Sequence, residues 1–75
     1  MLLVKSPMLT EKVKEALDGY TDNDIQIFFL RQEGMSLYFD IKGIAGYDAV
    51  ALAKKIIRSH DWGNSIYFAV SFINE

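Results

Sequence analysis

The sequence predicts a small α+β domain of the ferredoxin-like, split βαβ class (βαββαβ), with two helices on one face of a four-stranded antiparallel sheet. Two observations lead to this prediction. The hydrophobic patterns follow the order strand, helix, strand, strand, helix, strand, and they use almost all of the 75 residues. The chain has no linker, repeat or low-complexity stretch, so we expect residues 1–75 to form a single domain.

The first strand and the first helix lie in residues 1–18. Residues 2–4 are apolar, and Ser6 followed by Pro7 is a typical helix start. An apolar stripe at helical spacing follows, and Gly19 is suited to end the helix. The predicted helix covers residues 7–18, and its stripe consists of Leu9, Val13, Ala16 and Leu17.

A β-hairpin is predicted next. Residues 25–30 are rich in strand formers, and residues 35–41 alternate between apolar and polar side chains. Between them, Glu33 and Gly34 supply the reversal, with Gly34 expected at a positive φ.

A second helix and a last strand complete the pattern. The helix is predicted to begin near Tyr47 and Asp48, with small residues at positions 49 and 53 that would let it lie close to the sheet. The last strand is predicted over residues 65–73, where Ile66, Phe68, Val70 and Phe72 alternate with smaller or more polar residues.

The weakest element is the first strand. In a split βαβ sheet this strand is central and must pair on both sides, yet residues 1–5 offer only a short apolar run. The alternative is a three-stranded αββαβ domain with an irregular N-terminus.

Composition limits the possible functions. The chain has no cysteine, which excludes disulfides and thiolate metal sites. Its net charge of −2 argues against strong binding to duplex nucleic acid. The N-terminal apolar run is too short for a signal peptide, and no run reaches the ~20 residues of a membrane span, so we expect a cytoplasmic protein with no membrane partner.

The helix-free face of the sheet is the predicted contact surface. Apolar residues make up 51% of the chain, which is more than a two-helix core is expected to bury. The side chains expected to form the contact are Phe28, Leu30, Tyr38 and Tyr67. We expect a homo-oligomer or a protein partner, formed by stacking of open faces or by pairing of edge strands. Ordinary surface exposure is the competing interpretation. The absence of Lys, Arg and Gly from residues 35–41 argues against stacking of single-stranded nucleic-acid bases.

No catalytic or metal motif is apparent. His60 and Asp61 are adjacent, and neighbouring side chains point in different directions, so they are poorly placed for a catalytic relay. The acidic turn at residues 22–24 lacks the pattern of a calcium loop. We therefore predict a non-catalytic protein without metal or cofactor.

An alternative function is the binding of a small anion or metabolite by a regulatory domain. Lys42, Gly43 and Gly46 precede the second helix, and free amides at a helix start can bind anions. The stretch matches neither a dinucleotide-binding loop nor a P-loop. The favoured prediction remains a small binding module that associates with itself.

Overall fold

The structure is a computed structural model, and it describes residues 1–73. Over this range it is a small α+β domain with two α-helices and an open, antiparallel sheet of five strands. The strands and helices in chain order are β1 (Leu2–Lys5), α1 (Thr10–Leu17), β2 (Thr21–Asp22), β3 (Ile25–Glu33), β4 (Ser36–Lys42), α2 (Gly46–Arg58) and β5 (Ala69–Phe72), with a short 3₁₀ helix at Asp61–Asn64 between α2 and β5.

The first strand is central in the sheet. The strand order is β2-β3-β4-β1-β5, and β1 pairs antiparallel with β4 on one side and with β5 on the other. The alternative of a three-stranded sheet with an irregular N-terminus is therefore wrong. The additional strand β2 was not predicted, because its two exposed polar residues carry no hydrophobic alternation.

Helix α1 begins at Thr10, three residues later than predicted. Ser6 is not a helix cap, because Leu9 occupies that position at the start of α1. The Ser6 backbone N–H donates to the Met35 carbonyl at 3.1 Å and so extends the pairing of β1 with β4. Its hydroxyl donates to the Met8 carbonyl at 2.6 Å, and its carbonyl accepts from the Thr10 hydroxyl at 2.9 Å. The intervening residues are needed to turn the chain, and Leu9 takes a φ of 53° there.

Strand β5 is shorter than predicted, since it begins at Ala69 and not at residue 65. Its only neighbour is β1, and the last residue pair of the two strands is Lys5 with Ala69. Residues 65–68 thus have no strand to pair with. The 3₁₀ helix occupies the segment immediately before them.

The hydrophobic core lies between the two helices and one face of the sheet. Its sheet side is formed by Leu2, Val4, Ile27, Leu37 and Phe39, all fully buried. The helices contribute Val13, Leu17, Ala49, Ala53, Ile56 and Ile57. The predicted small residues of α2 thus face the sheet, where their size permits close packing.

The hairpin prediction is also confirmed, with Gly34 at φ 60° between β3 and β4.

Phe39 and Phe28 provide a test of this layering, because one is fully buried and the other is 40% exposed on the opposite face. We expect Phe39→Ala to lower the free energy of unfolding by about 3–5 kcal/mol and the conservative Phe39→Leu by less than about 1.5 kcal/mol. We expect Phe28→Ala to lower it by less than about 1 kcal/mol. Urea unfolding followed by circular dichroism measures all three, and similar losses for the two alanine variants would contradict the assignment of faces.

Candidate interaction surfaces

The helix-free face of the sheet carries both aromatic and charged side chains. Strand pairing places Tyr38 opposite Leu3 on one side and Arg31 on the other, and it places Phe28 opposite Asp40. Directly opposed residues point to the same face of a sheet, so these side chains share the face away from the helices. None of these five residues belongs to the hydrophobic core.

Two cations lie over the aromatic rings of this face. The Arg31 guanidinium carbon is 4.2 Å from the centre of the Tyr38 ring, and the Lys42 ammonium is 6.0 Å from that of Phe28. Arg31 also forms an ion pair with Glu33 at 3.1 Å. Cation–π contacts of this kind are worth about 0.5–1 kcal/mol at exposed sites. The rings therefore have partners within the monomer, and a dry interface on this face would have to displace or bury these charges.

The four side chains predicted to form one contact surface do not lie together as a group. Phe28 and Tyr38 are on the helix-free face of adjacent strands. Leu30 is the extra residue of a β-bulge, because Phe29 pairs with Phe39 and Arg31 with Tyr38, leaving Leu30 without a partner. Tyr67 lies before β5, outside the sheet, and is 76% exposed. Contact of these residues with a partner stays a prediction.

One edge of the sheet is closed by the chain itself. The outer side of β3 is paired with β2 at residues 25 and 26. Ile27 then donates its N–H to the Tyr20 carbonyl at 3.0 Å and accepts from the Gly19 N–H at 2.9 Å. The Asp18 carboxylate accepts the next outward N–H, that of Phe29, at 2.9 Å. The Leu30 bulge follows, and bulges near an edge discourage further pairing.

The opposite edge, the outer side of β5, has no strand beside it in residues 1–73. Met1 and Ile73 exchange two hydrogen bonds, of 3.0 and 2.8 Å. In an antiparallel pair, such bonded pairs alternate with non-bonded ones along the strands. The backbone N–H and C=O groups of Ser71 and Ala69 therefore point to β1, and those of Val70 and Phe72 point outward.

Apart from its short length of four residues, strand β5 lacks the usual protection of an edge. Residues 65–73 contain no charged residue, no proline and no glycine. Natural sheets guard free edges with lysine, proline, bulges or very short strands. On the core face, Val70 and Phe72 pack against the core but remain only half-buried. The outer side of β5 is thus an apolar, uncharged edge with free backbone groups.

The residues of the predicted anion site do not converge on one point. Lys42 extends toward the Phe28 ring, on the helix-free face. Gly43, at φ 89°, packs so closely on the Asp24 carbonyl that a Cβ there would collide with it. Gly46 is the first residue of α2, and Asp48 places a negative charge in the first turn of that helix. Anion binding at Lys42, Gly43 and Gly46 stays a prediction without support from the geometry.

A shallow groove of about 410 Å³ lies between the C-terminal halves of the two helices. It was not recognised in the sequence, because its residues come from both helices and from β2. The groove is lined by Ala16, Tyr20, Asp22, Leu52, Lys55, Ile56, Ser59 and His60. His60 stacks on Trp62 with ring centroids 4.9 Å apart, and the Ser59 hydroxyl donates to the Ile56 carbonyl at 2.6 Å. These contacts give both side chains structural roles.

Residues 1–73 provide neither a metal-ion site nor a membrane-spanning helix. No group of three or more His, Asp or Glu side chains in this range could hold a metal ion. Within the same range, neither helix has the length and apolar character needed to cross a membrane.

Comparison with known proteins found no matching family model, no matching curated protein and no matching solved structure.

The Asp18 carboxylate provides a test of how the β3 edge is closed. We expect Asp18→Ala to lower the free energy of unfolding by about 1 kcal/mol, because the Phe29 N–H loses its acceptor. Asp24→Ala removes an exposed aspartate of the β2–β3 turn and serves as the matched control, with a change within about 0.5 kcal/mol. Amide hydrogen exchange should show faster exchange at Phe29 in Asp18→Ala alone. Unchanged exchange there would show that the carboxylate does not protect this edge.

Proposed function

We propose that this protein is a non-catalytic interaction module that associates with a second copy of itself through the outer edge of β5. The observation that carries the proposal is the free and uncharged edge of this strand. Its outward backbone groups belong to Val70 and Phe72, and residues 65–73 contain no charged residue. Free strand edges of this kind are templates for pairing with another chain.

The geometry favours this edge over the helix-free face. On that face, Arg31 and Lys42 lie over the aromatic rings, and Asp40 is opposite Phe28. Two such faces could stack only by burying charges of both signs, whose desolvation opposes association. Pairing at β5 buries no charge of the strand and satisfies backbone groups that otherwise need water.

A second copy is a suitable partner because β5 is complementary to itself. Its core-facing side chains are apolar and its other side chains, at Ala69 and Ser71, are small. An antiparallel pair of identical β5 strands therefore places apolar side chains beside apolar side chains on the core face and small side chains beside small ones on the other face. Because β2, Gly19, Tyr20 and Asp18 occupy the outer side of β3 over residues 25–29, the outer side of β5 is the edge that residues 1–73 leave available for this pairing, and we expect association to end at the dimer.

We also propose that the domain is a variant of the ferredoxin-like, split βαβ arrangement. The order β3-β4-β1-β5 of its four longer strands, with β1 in the interior, supports this assignment. Strand β2 would then be an addition to the outer edge of β3.

Light scattering coupled to gel filtration tests the proposed association. We expect the wild-type chain to be a dimer at high micromolar concentration and Ser71→Lys to be a monomer, because a lysine on the edge strand opposes pairing. The control Ser65→Lys places the same charge on an exposed serine outside β5 and should remain a dimer.

A double variant of the helix-free face completes this test. Tyr38→Ser with Phe28→Ser should leave the dimer intact, because these side chains lie away from the β5 edge. A wild-type chain that is strictly monomeric would contradict the proposed function. Loss of the dimer in the double variant, with the dimer retained in Ser71→Lys, would show that the interface is on the helix-free face.

A further inference from the structure

We infer that the two copies pair β5 with β5 in one register, antiparallel, about a two-fold axis that passes beside Ser71. This inference rests on the proposed function, because it specifies the geometry of that association. It follows from the direction of the backbone groups of β5 and from the extent of this strand.

The direction of the backbone N–H and C=O groups restricts the registers in which two β5 strands can pair. Val70 and Phe72 carry the outward N–H and C=O groups. Each hydrogen-bonded pair across the interface must therefore join Val70 or Phe72 of one copy to Val70 or Phe72 of the other copy. With Ser71 opposite Ser71 of the second copy, Val70 lies opposite Phe72 and Phe72 opposite Val70. Each of these pairs exchanges two backbone hydrogen bonds, and the Ser71 pair between them is a non-bonded one.

The extent of the strand selects among the registers that remain. Within residues 1–73, the part of the last strand held in the sheet runs from Ala69 to Ile73, which still bonds to Met1, and Ser71 is the midpoint of this described segment. Within residues 1–73, only pairing about Ser71 gives each of these five residues a partner. A register centred on Val70 would instead recruit Tyr67 and Phe68, which lie outside β5.

The side chains fit this register on both faces. On the core face, Val70 and Phe72 are only half-buried, and each would be covered by the other residue from the second copy. On the helix-free face, Ser71 meets Ser71 and Ala69 meets Ile73. The two-fold axis is perpendicular to the sheet, so the product is one continuous sheet with the helices of both copies on the same side.

Single cysteines test the register directly, because the natural chain contains none. In a non-bonded antiparallel pair the Cα atoms are about 4.5 Å apart, which a disulfide can span. We therefore expect Ser71→Cys to form a disulfide-linked dimer under mild oxidation. Non-reducing electrophoresis and intact-mass measurement identify it, and a reductant reverses it.

Ala69→Cys is the matched control, since Ala69 shares the face and exposure class of Ser71. In the inferred register, the two copies of residue 69 are offset by four positions, or roughly 13 Å along the strands, which is too far for a disulfide. We expect no linked dimer from Ala69→Cys alone and no mixed dimer from Ala69→Cys with Ser71→Cys. Circular dichroism confirms that both variants fold.

The remaining outcomes separate this inference from the proposed function. Mixed dimers of Ser71→Cys with Ala69→Cys would show the register centred on Val70 and would overturn the Ser71 axis. Equal linking of the two single variants would indicate random collision and would also overturn it. A dimer in light scattering with no linking at Ser71 would overturn the inference and leave self-association standing, whereas a strictly monomeric wild-type chain would overturn both.

Discussion

The pairing of β1 on both of its sides is the interaction on which the rest of this structure depends. Four residues, Leu2–Lys5, join the β3–β4 hairpin to β5 and supply two fully buried side chains to the core. Without this strand the hairpin and β5 have no common neighbour in the sheet. The short length of β1 also sets the length of β5, because β5 is a strand only where β1 provides partners.

The two edges of the sheet differ in physical character. At the β3 edge, backbone groups of Gly19 and Tyr20 and the Asp18 carboxylate occupy the outward positions, and a bulge ends the regular pattern. At the β5 edge, the outward groups have no such partners among residues 1–73. Protection of one edge only is what a chain needs if it is to form a closed pair and avoid an open-ended fibre. The helix-free face, with Arg31 and Lys42 over its rings, is suited to remain in water.

The sequence allowed prediction of those elements that local patterns determine. The alternation in residues 35–41 and the glycine at position 34 located the hairpin, and the helical stripes identified the core side chains Val13, Leu17, Ala49 and Ala53. The start of α1 could not be predicted, because Ser6 bonds to Met35, a residue distant in sequence. The bulge at Leu30 and the short β2 depend in the same way on a neighbouring strand.

The candidate site was harder to predict than the core. The sequence shows that Phe28, Tyr38 and Tyr67 are large side chains, but it does not show their neighbours. Arg31 lies opposite Tyr38 only because of the bulge at Leu30, and the bulge could not be predicted. A usable signal was present in residues 65–73, where nine positions lack any charge. Its significance depends on knowing that this strand lies at the edge of the sheet, and that position follows from the order of the strands and not from the composition of one of them.

The adjacency of β1 and β5 brings together segments from opposite ends of the described chain. Contacts between residues so far apart in sequence carry a large entropic cost, because a long loop must close before they contribute any stability. A chain whose last strand has not yet docked presents one bare side of β1. Because every copy carries the same β5 strand, that bare side can also pair with the strand of another molecule when the protein is concentrated. The step that completes the monomer is therefore also a step at which strand exchange between molecules is possible.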